Sequence, residues 1–411
     1  LTSVIKTDVL IVGAGPAGSS AALFLAKNGI SSVIIDKEKF PRDKICGDAI
    51  SGKAVEVLNK LNPKLVNELS VDKHALGSWG VTFVAPSGQA LRVPFVTKKL
   101  VQKAPGFICK RIDFDNWLVE KVREDELVSL YEETEIRNYT RENGLIKAVA
   151  KNGAEFITKI VIACDGAYST FARHVGLLQT EPAHNCFGLR AYCEGVDGLD
   201  SQGFIELHFL KEILPGYFWI FPLANGAANV GIGMRADKVT GKKINLKKAF
   251  EKVLAENPVM QKRFANYHPI GNVKQFGLPL GSKKRKISGY NYMLCGDAAQ
   301  LIDPFTGEGI GNAMMSGMYA ANQAAACLNQ ANFSQQIMAR YDEALYSRLW
   351  SELLLSYRLQ QLANYPSLFN YVVSKANSNV HLRETISCMF EDLDLRARLK
   401  NPAFYFKLLF S

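Results

Sequence analysis

Gly13-Ala14-Gly15-Pro16-Ala17-Gly18 follows the apolar run Val9-Leu10-Ile11-Val12 and opens a helical pattern. This G-x-G-x-x-G spacing suits a pyrophosphate: Gly13 permits a tight turn, Gly15 lets backbone N–H groups approach, and Gly18 lets the helix pack on the sheet. The helix N-terminus adds donors and partial positive charge for the phosphates. Asp36 closes the next strand pattern, where a carboxylate can accept from a ribose hydroxyl. The motif alone serves more than one dinucleotide.

Two further glycine-bearing segments follow strand patterns. Cys164-Asp165-Gly166-Ala167-Tyr168-Ser169-Thr170 is one, with Arg173 after it. Cys295-Gly296-Asp297-Ala298-Ala299 is the other; it precedes Pro304-Phe305-Thr306-Gly307-Glu308-Gly309-Ile310-Gly311 and a helix. Arg111 begins an Arg-x-x-Phe-Asp-x-x-Leu stretch. Pro41-Arg42-Asp43-Lys44-Ile45-Cys46-Gly47-Asp48-Ala49 lies after the second strand, and Tyr217-Phe218-Trp219-Ile220-Phe221-Pro222 is followed by Gly231-Ile232-Gly233. Alternation puts Tyr217, Trp219 and Phe221 on one face of a strand. That row is either the wall of a long apolar pocket or an aromatic core stripe.

The opening glycines with the Asp165 and Asp297 segments resemble the p-hydroxybenzoate hydroxylase-like flavoprotein superfamily. The Cys46 loop and the Tyr-x-Trp-x-Phe-Pro, spacer, Gly-x-Gly pattern resemble, within it, the geranylgeranyl reductase family. The resemblance covers nearly the whole chain to about residue 330 and implies FAD as cofactor. It implies that Gly13, Gly15, Ala17, Gly18, Asp36 and Lys37 hold the ADP half. On the same resemblance Arg111, Asp165 and Gly166 are expected to contact the cofactor, and Asp297 the ribityl chain. The resemblance also places the Cys46-Gly47 loop with Ala49 beside the flavin. Pro304 and the turn Gly307, Gly309, Ile310, Gly311 face the pyrimidine end, where a helix N-terminus stabilises the negative charge of reduced flavin.

The implied catalytic set is Cys46, Tyr217, Trp219 and Phe221. Cys46 either donates a proton to the reacting alkene, shapes the pocket, or is a small inert thiol. Glu206 and His208 share an orientation on another strand and are candidates to reach the cavity as proton donors, against the alternative of an exposed polar face. Arg190 is a candidate for a diphosphate.

The elements that must position these residues follow from periodicity. Strand 4–12, helix 16–29 and strand 32–36 make half of a doubly wound fold. Asn143-Gly144 and Asn152-Gly153 mark hairpins, as does Pro86-Ser87-Gly88 within the alternating 79–95. A helix over 113–124 has Asp113 as its N-cap. Four strands fall within 183–234, a helix spans 243–266, strands return over 272–295, and long helices cover 307–358 and the tail from 362. The fold class is α/β: a Rossmann-type FAD-binding domain with an inserted antiparallel β-sheet substrate domain and a C-terminal helical segment. The expected division is 1–72, 101–180 and 284–330 for FAD, 73–100 and 181–283 for substrate, and 331–411 for the helical region.

With 48% hydrophobic and 21% charged residues, the chain is neither disordered nor a membrane-spanning protein. Eight scattered cysteines without a Cys-x-x-Cys pair suit a reducing cytoplasm, and six histidines lack metal-ligand spacing. The strand pattern begins at once, leaving no room for a secretion signal. The net charge of +10 is either a solubilising surface or an attraction for anionic partners. Lys283-Lys284-Arg285-Lys286 lacks interleaved aromatics, so nucleic acid is set aside.

The expected activity is reduction of carbon–carbon double bonds in an isoprenoid or related apolar lipid. No second dinucleotide motif is visible, so the electron donor, NAD(P)H or an iron–sulfur protein, must dock transiently. A lipid substrate implies peripheral contact with a membrane, for which Phe404-Tyr405-Phe406-Lys407-Leu408-Leu409-Phe410 is a candidate segment beside its alternative as core. The rival readings are a flavin hydroxylase, a halogenase, and an electron carrier or sensor without organic substrate. The halogenase pattern Trp-x-Trp-x-Ile-Pro differs at Tyr217 and Phe221, and the catalytic lysine has no match near His74–Ser78.

Overall fold

The computed structural model describes residues 4–95, 103–379 and 382–383. The apolar run Val9–Val12 lies in strand Val4–Val12, buried on both faces at the centre of an eight-stranded sheet. It pairs in parallel with Ser32–Ile35 on one side and Glu155–Ala163 on the other. Val128–Tyr131 and Tyr292–Leu294 extend the parallel array. Continuous apolar strands of this kind need cover on both faces. Helix Pro16–Lys27 supplies part of it, starting at Gly15 with Pro16 in the first turn, where a missing N–H costs nothing. Helix Ile310–Gln330 lies against it so closely that a Cβ on Gly317 would sit 2.1 Å from the Ala17 carbonyl oxygen.

The hairpin Ile136–Glu142 and Leu145–Ala150 adds antiparallel strands to this sheet. Its turn has Asn143 at φ 50° and Gly144 at φ 76°, the two left-handed positions that a two-residue hairpin demands.

A second, seven-stranded sheet runs in the order His268–Pro279, Asn185–Glu194, Ala228–Arg235, Tyr217–Pro222, Ile205–His208, Gly80–Val84, Ala90–Pro94. It is antiparallel except between Ile205–His208 and Gly80–Val84, which come from distant stretches of chain and pair in parallel. Helices Leu246–Glu256 and Pro258–Arg263 cover its outer face, where Phe250 stacks on Phe218. Its inner face carries Phe83, Phe209, Trp219 and Phe221, closed at one end by Phe369 of helix Pro366–Ser378. A small sheet of Ala49–Ile50, Gly106–Cys109 and Ala75–Ser78 lies beside the Cys46 loop. The architecture is thus α/β with a second, mainly antiparallel sheet and C-terminal helices.

Several boundaries differ from the sequence expectation. The helix expected from Asp113 spans Arg111–Arg123 with Lys110 at the cap, because the Asp48 side chain takes the Arg111 N–H from outside. Asp113 sits in the first turn, where its charge still favours the helix dipole. The expected helix 243–266 is broken at Asn257-Pro258. Asn257 accepts the Val259 and Met260 N–H groups and caps a new helix, which Pro258 opens. The long helical stretch divides at Ala331, φ 48°, into Ile310–Gln330 and Gln335–Leu362. The tail 404–410 lies outside the described residues.

Candidate active site

A cavity of about 730 Å³ runs from the Gly13 turn to the aromatic strand of the second sheet. At its Rossmann end it is bordered by Gly13, Gly15, Ala17, Asp36 and Lys37. A Cβ on Gly13, at φ +100°, would lie 2.4 Å from the Cys164 carbonyl oxygen, and one on Gly18 1.8 Å from the Gly13 oxygen. Side chains are therefore excluded from the turn, as backbone approach to a phosphate requires. Gly18 itself lies behind the cavity lining. Asp36 accepts the Ala14 N–H at 2.7 Å and the Glu38 N–H at 2.9 Å. Burial raises its pKa, partly opposed by those two donors.

Arg42 was not foreseen. Its guanidinium reaches over the turn, 3.4 Å from where a Gly15 Cβ would stand. Arg42 binds Asp115 at 2.6 Å, and Arg111 grips the same carboxylate through two bonds of 2.6 and 2.7 Å. Burial works against the Asp115 charge, yet Arg111 and Arg42 outweigh it and hold the carboxyl below the usual range. Two guanidiniums thus stand rigidly beside the cavity, Arg42 over the Gly15 turn and Arg111 further along.

The middle of the cavity is bordered by Arg111, Asp165, Gly166 and Asp297. Asp165 Oδ2 caps the Thr170–His174 helix through the Thr170 and Phe171 N–H groups, while its Oδ1 is buried without a partner. Asp297 accepts from Lys44 at 2.8 Å. The glycine cradle, the guanidiniums and the orphaned Asp165 oxygen fit a dinucleotide with a polyhydroxyl chain.

At the far end Cys46, Gly47 and Ala49 line the cavity together with Tyr217, Trp219 and Phe221. Phe218 and Ile220 point into the outer core, so the three aromatics share the cavity face. A Gly47 Cβ would lie 2.7 Å from the Phe221 ring, which explains a glycine after Cys46. Burial pushes the half-buried Cys46 thiol up, against the pull of Arg111.

A polar network joins loop and strand. Trp219 Nε1 donates to Asn229 at 2.9 Å, and Asn229 Nδ2 donates to the Cys46 carbonyl at 2.8 Å and to Asp48 at 2.7 Å. Tyr192 donates to the same Asp48 oxygen at 2.8 Å. Burial pushes Asp48 up to about 6, with Asn229 and Tyr192 opposing.

The turn Gly307, Gly309, Ile310 closes this end; Pro304 and Gly311 lie outside the lining. Tyr217 donates to the Thr306 carbonyl at 2.7 Å and so ties strand to turn. Glu308, also bordering the cavity, accepts the Gly311 N–H at 2.6 Å and Ser51 Oγ at 2.9 Å. Behind it the buried Lys53 pairs with Glu352 at 2.7 Å.

Glu206 and His208 do share an orientation, but on the outer face. Glu206 bonds His208 at 2.8 Å and Arg263 of the covering helix, while Ile205 borders the cavity instead. They are not placed to donate protons there. Arg190 does border the cavity, with its Nη2 on Asp43 at 2.9 Å, and its Nε is buried without a partner. Local patterns give no signal for Arg42, Asp48, Asn229 or Lys53; the motif residues around them mark only their neighbourhoods.

Comparison with known proteins gives a consistent picture. The family model described as an FAD binding domain matches residues 6–350. The chain is 30% identical to digeranylgeranylglycerophospholipid reductase 1 of Methanosphaera stadtmanae over 94% of each chain. It is 29% identical to menaquinone reductase of Mycolicibacterium smegmatis over 77% of this chain and 76% of that one. Among solved structures, a geranylgeranyl bacteriochlorophyll reductase-like protein of Thermoplasma acidophilum superposes with a TM-score of 0.79 at 25% identity. That match covers 97% of this chain and 99% of the other.

Proposed function

Because the chain belongs to the FAD-binding-domain family and is an FAD-dependent oxidoreductase, we propose that it reduces carbon–carbon double bonds in an isoprenoid lipid. The observation that carries this reading is the aromatic row Tyr217, Trp219, Phe221, which with Cys46 lines the end of a cavity continuous with the nucleotide cradle. Relatives named as digeranylgeranylglycerophospholipid reductase and menaquinone reductase support it. FAD, when bound, supplies the hydride. The residues do the rest. Trp219 and Phe221 offer an apolar wall for a prenyl chain and exclude water from it. Asn229 and Asp48 hold the wall and the Cys46 loop at a fixed separation. Cys46, its thiol favoured by burial, holds a proton at Sγ beside the cavity.

In this reading residues 1–72, 101–180 and 284–330 serve the cofactor, and 73–100 and 181–283 the substrate. NAD(P)H or a reduced iron–sulfur protein docks transiently to supply electrons, and the protein works at the cytoplasmic face of a membrane.

Anaerobic mixing of the reduced holoprotein with geranylgeranylated lipids and prenylated quinones tests the activity. Alkene-dependent reoxidation, with a product two hydrogens heavier, is expected. No reoxidation with any of them overturns the reading, as does a hydroxylated product in a parallel run with oxygen.

A further inference from the structure

Helix Ile310–Gln330 points its N-terminus at the far end of the cavity, and its first backbone donors are suited to the negative charge that flavin reduction creates. One of them is already taken. The Gly311 N–H bonds Glu308 Oε1 at 2.6 Å, which also accepts from Ser51 Oγ at 2.9 Å. Glu308 Oε2 is buried with no partner. A carboxylate is therefore held where a second anion must come.

We propose that Glu308 couples flavin reduction to proton uptake: as negative charge arrives at this helix N-terminus, Glu308 takes a proton on Oε2, and its own charge no longer opposes the incoming one. The proposal rests on the cofactor reading above. Its step balances simply. Two electrons and one proton go to the flavin ring, a second proton goes to Glu308, and solvent supplies both protons. When hydride leaves for substrate, the ring is neutral again and Glu308 returns its proton to solvent.

The surroundings single out this residue. From the Gly52–Leu61 helix, Lys53 faces Glu308 but is held by Glu352 at 2.7 Å and Asn312 at 3.3 Å. From helix Gln335–Leu362, Arg348 is bound to Glu352 at 2.6 Å. Asp303, in the loop before the turn, competes for the same Lys53 ammonium. Its Oδ1 accepts from Phe305 and Thr306, and its Oδ2 from Ser356. Beside the turn, Asp297 is paired with Lys44 through Oδ2, with its Oδ1 3.9 Å from where a Gly309 Cβ would stand, and Tyr217 is bonded to Thr306. Among the described residues Glu308 is thus the carboxylate at this turn whose unpartnered oxygen is buried. Burial raises its pKa, with Lys53 opposing, so its proton exchange falls above the ordinary carboxylate range. An added like charge raises it further, and by linkage its protonation favours the reduced flavin.

The test uses the FAD-loaded protein, whose flavin spectrum first establishes the cofactor. Midpoint potentials are measured from pH 6 to 9 by dithionite titration with redox dyes. Each proton taken up with two electrons contributes about 30 mV per pH unit. The wild type is expected to show a stretch of about 60 mV per pH unit, and Glu308→Gln about 30 mV throughout. A wild-type slope of one proton at every pH overturns the proposal, as does a two-proton slope in both proteins, which would put the second proton on the flavin. Should Glu308→Gln fail to hold FAD, the reduced-minus-oxidised infrared difference spectrum of the wild type decides. A new carboxylic-acid carbonyl band is expected, and its absence overturns the assignment. Failure to bind FAD, or to reduce prenyl lipids, would instead show in the spectrum or in the reoxidation experiment.

Discussion

Asp48 lies two residues beyond Cys46, fully buried and at φ 70°, a left-handed conformation that Asp and Asn tolerate better than most residues. Its carboxylate joins three segments: the Arg111 helix start, Tyr192 and Asn229. Desolvation dominates these bonds and moves its pKa from 3.8 to about 6. Between those values the folded chain keeps a proton that the unfolded chain has lost, so stability falls as pH rises through the window. The contribution is on the order of 3 kcal/mol. Asp48→Asn keeps the size and the backbone preference but removes the titration. Urea melts from pH 4 to 7 should show wild-type stability dropping relative to the variant as pH rises, and parallel curves would contradict the assignment. No local pattern announces this residue. Its partners sit 144 and 181 positions away, and only the folded sheets bring them together.

The strand Tyr217–Pro222 makes sense only with its neighbour. Trp219 pairs directly with Gly231 across the ladder. A Cβ there would lie 2.1 Å from the indole Cζ2 and 2.2 Å from the Leu189 carbonyl oxygen of the next strand. The ring can give way, but the carbonyl cannot without distorting the pairing. Gly231→Ala should therefore cost about 1–3 kcal/mol and pull Trp219 off Asn229, seen as a lower thermal midpoint and red-shifted tryptophan emission. Gly233→Ala is the control. Its Cβ would have Trp219 as its nearest neighbour at 3.7 Å, an ordinary contact, and should be neutral within about 0.5 kcal/mol. Equal losses in both would mean that the ring does not impose the glycine. Element positions were largely legible from turns and periodicity, as Asn143-Gly144 illustrates. Direction was not. Alternation shows that Glu206 and His208 share a face; Arg263, on a helix packed against the outer side, shows which face it is. In the same way Asn257-Pro258 breaks a helix whose apolar periodicity runs on through it.

At the scale of the whole molecule, the cavity belongs to neither sheet alone. Its lining takes Gly13 and Asp36 from the Rossmann sheet, Arg190 and Trp219 from the second sheet, and Ile310 from the helix that covers the first. The Arg42–Asp115–Arg111 cluster and the Cys46 loop run between them. A cofactor filling that space contacts both sheets, so opening either wall releases it. FAD at about a hundredfold above its Kd should then add about 2.7 kcal/mol against every opening that breaks the site. Hydrogen exchange distinguishes this from a cofactor seated on the Rossmann half alone. If FAD spans the cavity, its addition slows exchange at the Ala14 and Gly15 amides and also along Trp219–Phe221, by comparable factors wherever exchange requires the site to open. Protection confined to the Gly13 turn would mean that the aromatic strand is not part of the cofactor site. It would also detach the proposed prenyl pocket from the flavin that must reduce its contents.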